Sequence, residues 1–161
     1  MLELLGIVIF ALLIGLSIAL HELGHLVPAK RFGVKVTDYM IGFGPTVWSR
    51  LRGETRYGVK AIPVGGYIRM IGMLPPAPGA PAGTARTMTT GRFATMVAQA
   101  REQSSEEIGP GDENRVFYRL PVHRRIVIML GGPLMNLLFA FVLFAVLLLG
   151  VGLPTPSLEV S

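Results

Sequence analysis

The chain has 161 residues, of which 51% are hydrophobic and 16% are charged, and its formal net charge is +5. The apolar residues are concentrated at the two ends, an arrangement that a soluble domain of this length does not show, so the composition indicates a membrane protein. There is no cysteine, which excludes disulfides and thiolate metal sites. Any metal must therefore be held by His, Asp, Glu or Asn.

The first apolar run ends at Val27 and is long enough to cross the roughly 30 Å hydrocarbon layer as a helix. We predict a transmembrane helix at residues 1–28, with Pro28 kinking or ending it. A secretory signal peptide is the alternative interpretation. It requires a basic N-terminal region and a small-residue cleavage site, and neither is present here.

The sequence HELGH stands near the end of this run, at residues 21–25. His21 and His25 are four residues apart, so on a helix they share one face, where two imidazoles can hold one Zn²⁺. Glu22 stands beside them and can act as general base on a water that the ion activates. The alternative is that these side chains only bond to helix neighbours. Ionisable residues inside a membrane are costly and indicate function, so we predict zinc ligands at His21 and His25 and a catalytic base at Glu22.

Residues 29–74 contain four short runs of β-branched and aromatic residues separated by glycines, which is typical of hairpins. We predict a β-rich, membrane-associated segment on the cytoplasmic side. One interpretation is an interfacial sheet with no catalytic part. The other is a sheet edge near the zinc that holds substrate in an extended form, with Gly65, Gly66 and Tyr67 as candidate substrate-binding residues.

Residues 75–116 are rich in Pro, Ala, Gly and acidic residues, which predicts a flexible linker. An amphipathic helix at residues 92–101, lying on the membrane surface, is an alternative for part of it.

Residues 117–153 predict an interfacial segment followed by a second transmembrane helix, because no ionisable residue occurs from Ile126 to Leu153. Asn136 falls at about the depth of the two histidines and is a candidate substrate-binding residue. A hydrogen bond between helices is the alternative role for this amide. Residues 154–161 are predicted to form an extracytoplasmic tail.

All fifteen lysines and arginines lie between Lys30 and Arg125. By the positive-inside rule, the middle of the chain is cytoplasmic, both termini are extracytoplasmic, and the zinc site lies near the cytoplasmic side. Anionic lipids of the inner leaflet account for the positive charge, so we expect membrane lipids and no nucleic acid as partners.

Three ordered motifs, HELGHLVPAKRFGVKVTDYMIGFGPTVWS, GVKAIPVGGYIRM and GGPLMN, resemble the site-2 protease family of intramembrane zinc metalloproteases, in particular its bacterial, actinobacterial-like members. The resemblance implies an α-helical membrane protein with two transmembrane helices and a re-entrant β-loop between them, multi-pass in the bacterial inner membrane. It implies regulated intramembrane proteolysis of a transmembrane substrate, typically an anti-sigma factor. It also implies the same roles for His21, Glu22 and His25.

The chain departs from that family in two respects. The family's third zinc ligand is an aspartate in a Leu-Asp-Gly motif on a later helix, which is absent here, as is its periplasmic PDZ domain. Substitutes at Asp38, His123 or Glu3 are disfavoured by their positions. We therefore interpret the chain as the N-terminal catalytic half, with a C-terminal half supplying the aspartate. The alternative function is a non-catalytic membrane module that binds a substrate or partner.

Overall fold

A computed structural model describes residues 1–75 and 108–150 of the chain. They form helix α1 (Leu2–Arg31), strands β1 (Val36–Arg52) and β2 (Thr55–Met70), a short 3-10 helix (Phe117–Arg119) and helix α2 (Val122–Gly150). The predictions for residues 76–107 and 151–161, including the amphipathic helix at residues 92–101, lie outside the described residues.

The two helices have 30 and 29 residues, and both are long and apolar enough to cross a membrane. Most of their large apolar side chains are exposed, for example Leu12 (67%) and Phe141 (70%). The predicted fold of two long apolar helices around a small sheet is confirmed. Helix α1 ends at Arg31, three residues past the end predicted at Pro28.

The helices cross where Gly24 on α1 meets Gly131 on α2. A Cβ atom on either glycine would collide with the carbonyl oxygen of the other. Pro28 contributes to this contact, because it has no N–H to donate to the carbonyl of Gly24, four residues earlier in the helix. The Gly24 carbonyl is therefore free to lie against Gly131.

Both strands are bent, so that different parts of β1 pair with different parts of β2. Residues 38–41 of β1 pair with residues 66–69 of β2 on one side and with residues 56–59 on the other, and residues 46–52 pair with residues 55–60. Bends at Gly42 (φ +90°) and Gly65 (φ +88°) use the left-handed backbone region that glycine tolerates. The last part of β2 thus lies at an outer edge of the sheet.

The sheet packs against the cytoplasmic-side end predicted for α1. The Tyr39 hydroxyl donates to the carbonyl of Ala19 at 2.7 Å, and the Lys30 ammonium donates to the Tyr57 hydroxyl at 2.9 Å. A small core joins the sheet, both helices and the 3-10 helix; it consists of Leu26, Ala29, Val34, Val36, Met70, Phe117 and Ile128. This core fixes the sheet relative to the histidines of α1.

The segment before α2 is joined to the base of the sheet. The backbone N–H of Lys35 donates to the carbonyl of Arg115, and that of Phe117 donates to Ile71. Two ion pairs reinforce the junction: Lys35 with Asp112, and Arg115 with Glu54 in the turn between the strands. The sheet is therefore held from α1 on one side and from the start of α2 on the other.

Candidate active site

His21 and His25 lie one turn apart on α1 with their rings in an edge-to-face arrangement and their centroids 4.9 Å apart. Their Nε2 atoms are 3.3 Å apart. Two imidazole nitrogens bound to one tetrahedral Zn²⁺ at 2.0–2.1 Å would be separated by about 3.3 Å. The spacing of the two nitrogen atoms therefore fits a shared zinc ion.

The second ring nitrogen of His25 is held by the other helix. Its Nδ1 lies 2.7 Å from the carbonyl oxygen of Ile128 on α2. A carbonyl only accepts, so Nδ1 carries the proton and Nε2 keeps its lone pair for a metal. The Nδ1 atom of His21 is buried and has no hydrogen-bond partner within the described residues.

Gly132 on α2 provides the space in front of the two rings. A Cβ atom at this position would overlap Nε2 of His25 and crowd Nε2 of His21. The missing side chain thus leaves a cradle at the point where both nitrogen lone pairs converge. Together with the spacing of the nitrogens, this cradle shows that the residues present fit a zinc ion.

Glu22 lies between the histidine pair and the sheet. A Cβ atom on Gly66 would stand 3.1 Å from Cγ of Glu22, so the strand passes close to this side chain. The Glu22 carboxylate also faces the backbone N–H of Ile68. Of the three candidate substrate-binding residues in β2, Gly66 is the one that adjoins Glu22.

The edge of the sheet beside Glu22 is the last part of β2. The N–H of Ile71 bonds to Lys35, on the side of β1. Alternate N–H groups of a strand point to opposite sides, so that of Ile68, three residues earlier, points outward. The N–H of Ile68 faces Glu22, and within the described residues no further strand pairs with this outer edge, which could therefore add an extended peptide.

The other two candidates in β2 have different surroundings. Gly65 lies under the Phe43 ring, which leaves no room for a side chain there. The ring of Tyr67 lies beneath the Lys60 ammonium, 5.3 Å from its centroid, on the sheet face that points away from α1.

Asn136 lies at the contact between the helices, one turn beyond Gly132. Its Oδ1 is 3.5 Å from the Ser17 hydroxyl, one turn before His21. The structure thus gives Asn136 a partner on α1 next to the histidine pair.

The residues considered as substitute ligands lie elsewhere. Asp38 is paired with Arg69 at 3.8 Å, His123 is exposed at the start of α2, and Glu3 is exposed in the first turn of α1. Within residues 1–75 and 108–150, no group of three His, Cys, Asp or Glu side chains is placed to hold a metal ion. A catalytic zinc site normally has three protein ligands, and the described residues bring together only the two histidines as candidates.

Sequence reasoning did not predict the roles of two parts of this site, the Ile128 carbonyl and Gly132. The Ile128 carbonyl has no residue-type signal, because any residue at position 128 provides one. Gly131 makes the close contact between the helices, whereas its neighbour Gly132 makes room for the imidazoles. The only sequence feature that points to this role is the pair of adjacent glycines, because a close contact between helices needs just one of them.

The sequence profile of peptidase family M50 matches residues 9–158. The zinc metalloprotease Rip1 of Mycobacterium tuberculosis strain H37Rv is 40% identical over 149 residues, which are 92% of this chain and 30% of the relative. Rip1 of Mycolicibacterium smegmatis is 36% identical over 154 residues, covering 93% of this chain and 31% of the relative. A putative zinc metalloprotease of Thermotoga maritima is 32% identical over 154 residues, covering 95% and 25%. The chain thus spans less than a third of the length of each of these relatives.

Proposed function

The chain belongs to peptidase family M50, the site-2 protease family, and on that premise we propose that it forms the N-terminal catalytic half of an intramembrane zinc endopeptidase. The observation that carries the proposal is the convergence of two Nε2 atoms, 3.3 Å apart, on the space above Gly132 and beside Glu22. The names of the relatives support zinc as the metal.

His21 and His25 would hold the ion through Nε2, and the third ligand is an aspartate from a segment outside this chain. When bound, zinc supplies Lewis-acid polarisation of a carbonyl and lowers the pKa of a water molecule. Glu22 takes the proton of the attacking water and passes it to the leaving amine, as a general base and then a general acid. The Ile128 carbonyl keeps the His25 ring in the orientation that metal binding through Nε2 would require.

The outer edge of β2 holds the substrate. A transmembrane helix hides its peptide carbonyls in its own hydrogen bonds, so cleavage requires a locally extended chain. Pairing with the outward N–H groups near Ile68 supplies this conformation and places the peptide beside Glu22. Gly66 has no side chain and so lets the strand approach α1 closely. We also propose Gly65, Tyr67 and Asn136 as substrate-binding residues.

The enzyme is multi-pass in the bacterial inner membrane, with both ends of this chain extracytoplasmic and the active site near the cytoplasmic side. Two observations support the membrane placement. The first is the length and apolar character of α1 and α2, and the second is the presence of basic residues near the C-terminal end of α1 and the N-terminal end of α2. The substrates are transmembrane proteins cut in regulated intramembrane proteolysis, of the anti-sigma-factor kind.

The test uses the full-length enzyme containing this chain, purified and reconstituted with a transmembrane substrate. Glu22→Gln should retain zinc and lower the cleavage rate by about 10²- to 10⁴-fold, the range for loss of a general base. Glu3→Gln, an exposed carboxylate on the same helix, is the matched control and should cleave normally. Cleavage by Glu22→Gln at the wild-type rate would refute the role of Glu22. Absence of cleavage and of zinc in the wild-type enzyme would favour the alternative of a non-catalytic binding module.

A further inference from the structure

The sheet has a polar cleft on the face that points away from α1. Its volume is about 530 Å³, and the charged residues lining it are Asp38, Glu54, Arg56, Lys60 and Arg69. Tyr39 and Tyr57 point to the other face and bond to α1, so the cleft does not share side chains with the histidine site. The cleft includes Tyr67, one of the candidate substrate-binding residues, but none of the residues proposed to hold or act beside zinc.

The two acidic residues of the cleft are already neutralised by cations. Asp38 pairs with Arg69 at 3.8 Å and accepts from the Thr37 hydroxyl at 3.1 Å. Both carboxylate oxygens of Glu54 accept from Arg115, at 2.5 and 2.6 Å. The lining thus has no acidic group left to balance its remaining positive charges.

The remaining positive charges belong to Arg56 and Lys60. In the part of the chain that the structure describes, neither forms a hydrogen bond or an ion pair. The Lys60 ammonium lies over the face of the Tyr67 ring, 5.3 Å from its centroid. The cleft therefore presents two uncompensated cations to whatever fills it.

The contacts of the sheet with α1 set the level of the cleft relative to the proposed membrane. Tyr57, next to Arg56, bonds to Lys30 in the last turn of α1, which is the boundary level of a spanning helix. Gly66, next to Tyr67, adjoins Glu22, eight residues earlier in α1 and so about 12 Å deeper. The cleft extends from headgroup level, at Arg56, toward acyl-chain level, at Tyr67 and Lys60.

We propose that this cleft binds the phosphate of an anionic phospholipid, with Arg56 and Lys60 as its contacts. A cation at Lys60 depth is costly without a counter-charge, and the nearest anions of a bacterial membrane are the lipid phosphates at the level of Arg56, toward which the long Lys60 side chain can extend. The bent end of the hairpin exposes large apolar side chains, which suit the acyl chains of a lipid better than an acidic cytoplasmic peptide: Val47 (71%), Ile62 (53%) and Val64 (68%). The bound lipid would tie the sheet to the leaflet. The inference shares the membrane placement of the proposed function but not its zinc chemistry.

The test is native mass spectrometry of the full-length protein titrated with phosphatidylglycerol or phosphatidylcholine. We expect preferential binding of phosphatidylglycerol, reduced about 30-fold by Arg56→Gln with Lys60→Gln. Arg50→Gln with Arg52→Gln removes the same charge from exposed positions of the hairpin outside the cleft and should leave the affinity within about two-fold. Arg56→Lys with Lys60→Arg keeps the charge and should preserve binding, which separates charge loss from misfolding.

Equal loss in both charge-removing variants would overturn the proposal, because it would indicate attraction to the whole basic surface. Displacement of phosphatidylglycerol by inorganic phosphate would assign the cleft to a soluble anion, and displacement by polyglutamate would assign it to an acidic peptide. Either result overturns the lipid assignment. The measurement needs neither zinc nor proteolysis, so its failure would leave the protease proposal unaffected.

Discussion

The Nδ1 atom of His25 on α1 lies 2.7 Å from the carbonyl oxygen of Ile128 on α2. This bond selects the tautomer that leaves Nε2 unprotonated, so the second helix determines whether the first one presents a metal ligand. The site therefore depends on how the two helices pack together. Residues at the helix contact should affect stability, and residues beside the imidazoles should affect metal binding.

Gly132→Ala is expected to impair zinc binding. The added methyl group would fill the space in front of Nε2 of His21 and His25, so the rings must turn away from each other. We expect a loss of zinc affinity of about 10- to 100-fold, as for other changes that misorient ligands. Zinc content after dialysis against a metal buffer measures it. Gly15→Ala, where a Cβ meets nothing within 4 Å, should keep wild-type zinc content, and equal zinc in both variants would refute the assigned cradle.

Gly131→Ala is expected to weaken the helix pair itself. Its methyl group would collide with the Gly24 carbonyl and force the helices apart, and overpacking of this kind costs about 1–3 kcal/mol. The free energy of unfolding in detergent micelles is the quantity to compare. Gly6→Ala gains the same helix propensity at a position with open space, so the difference between the two variants isolates the helix contact. Equal stability of both variants would contradict the assigned crossing point.

Ile68→Pro is expected to impair substrate binding at the sheet edge. Proline has no N–H, and an outward N–H on an edge strand is the one that the sheet can lose without losing a bond to β1. We expect a higher KM for a transmembrane substrate with zinc content unchanged, and kcat must be measured separately because the same N–H faces Glu22. Ile68→Val keeps the N–H and most of the side chain and should behave as wild type. A normal KM for Ile68→Pro would show that substrate does not pair at this edge.

The ion pair of Glu54 with Arg115 should make the stability of the folded protein depend on pH in a defined direction. The hydrogen bonds from Arg115 lower the pKa of the Glu54 carboxyl, so the pair stabilises the folded protein above the carboxyl's ordinary pKa. This contribution is lost as the pH falls through the lowered pKa. We expect Glu54→Gln to melt below the wild type at neutral pH and to match it in strong acid, with Glu3→Gln as control. A gap between the melting curves that persists in strong acid would contradict this.

The sequence predicted the elements well because their signals are local. Apolar length sets α1 and α2, and glycine-punctuated β-branched runs set the sheet. The four predicted runs became two bent strands, because the backbone turns at Gly42 and Gly65 within β1 and β2 and the pairing changes register there. The end of α1 was misplaced because a proline near a helix end costs little when its missing bond frees a carbonyl for a tertiary contact, here Gly24 with Gly131.

The site was predictable only in part. The spacing of His21, Glu22 and His25 predicts that the two imidazoles lie together on α1, because one turn of helix is enough to define this arrangement. The Ile128 carbonyl and the cradle at Gly132 depend on how two distant helices cross, which spacing along the chain does not determine. The cleft on the far face of the sheet likewise depends on which strand segments become neighbours.

The most direct test of the account is X-ray absorption spectroscopy at the zinc edge on the full-length enzyme. We predict two imidazole nitrogens at about 2.0–2.1 Å in the wild type and in Glu22→Gln, and one fewer imidazole or loss of zinc in His21→Ala and in His25→Ala. An unchanged zinc spectrum and full zinc content in both histidine variants would show that the metal is bound elsewhere, and the proposed active site would be wrong.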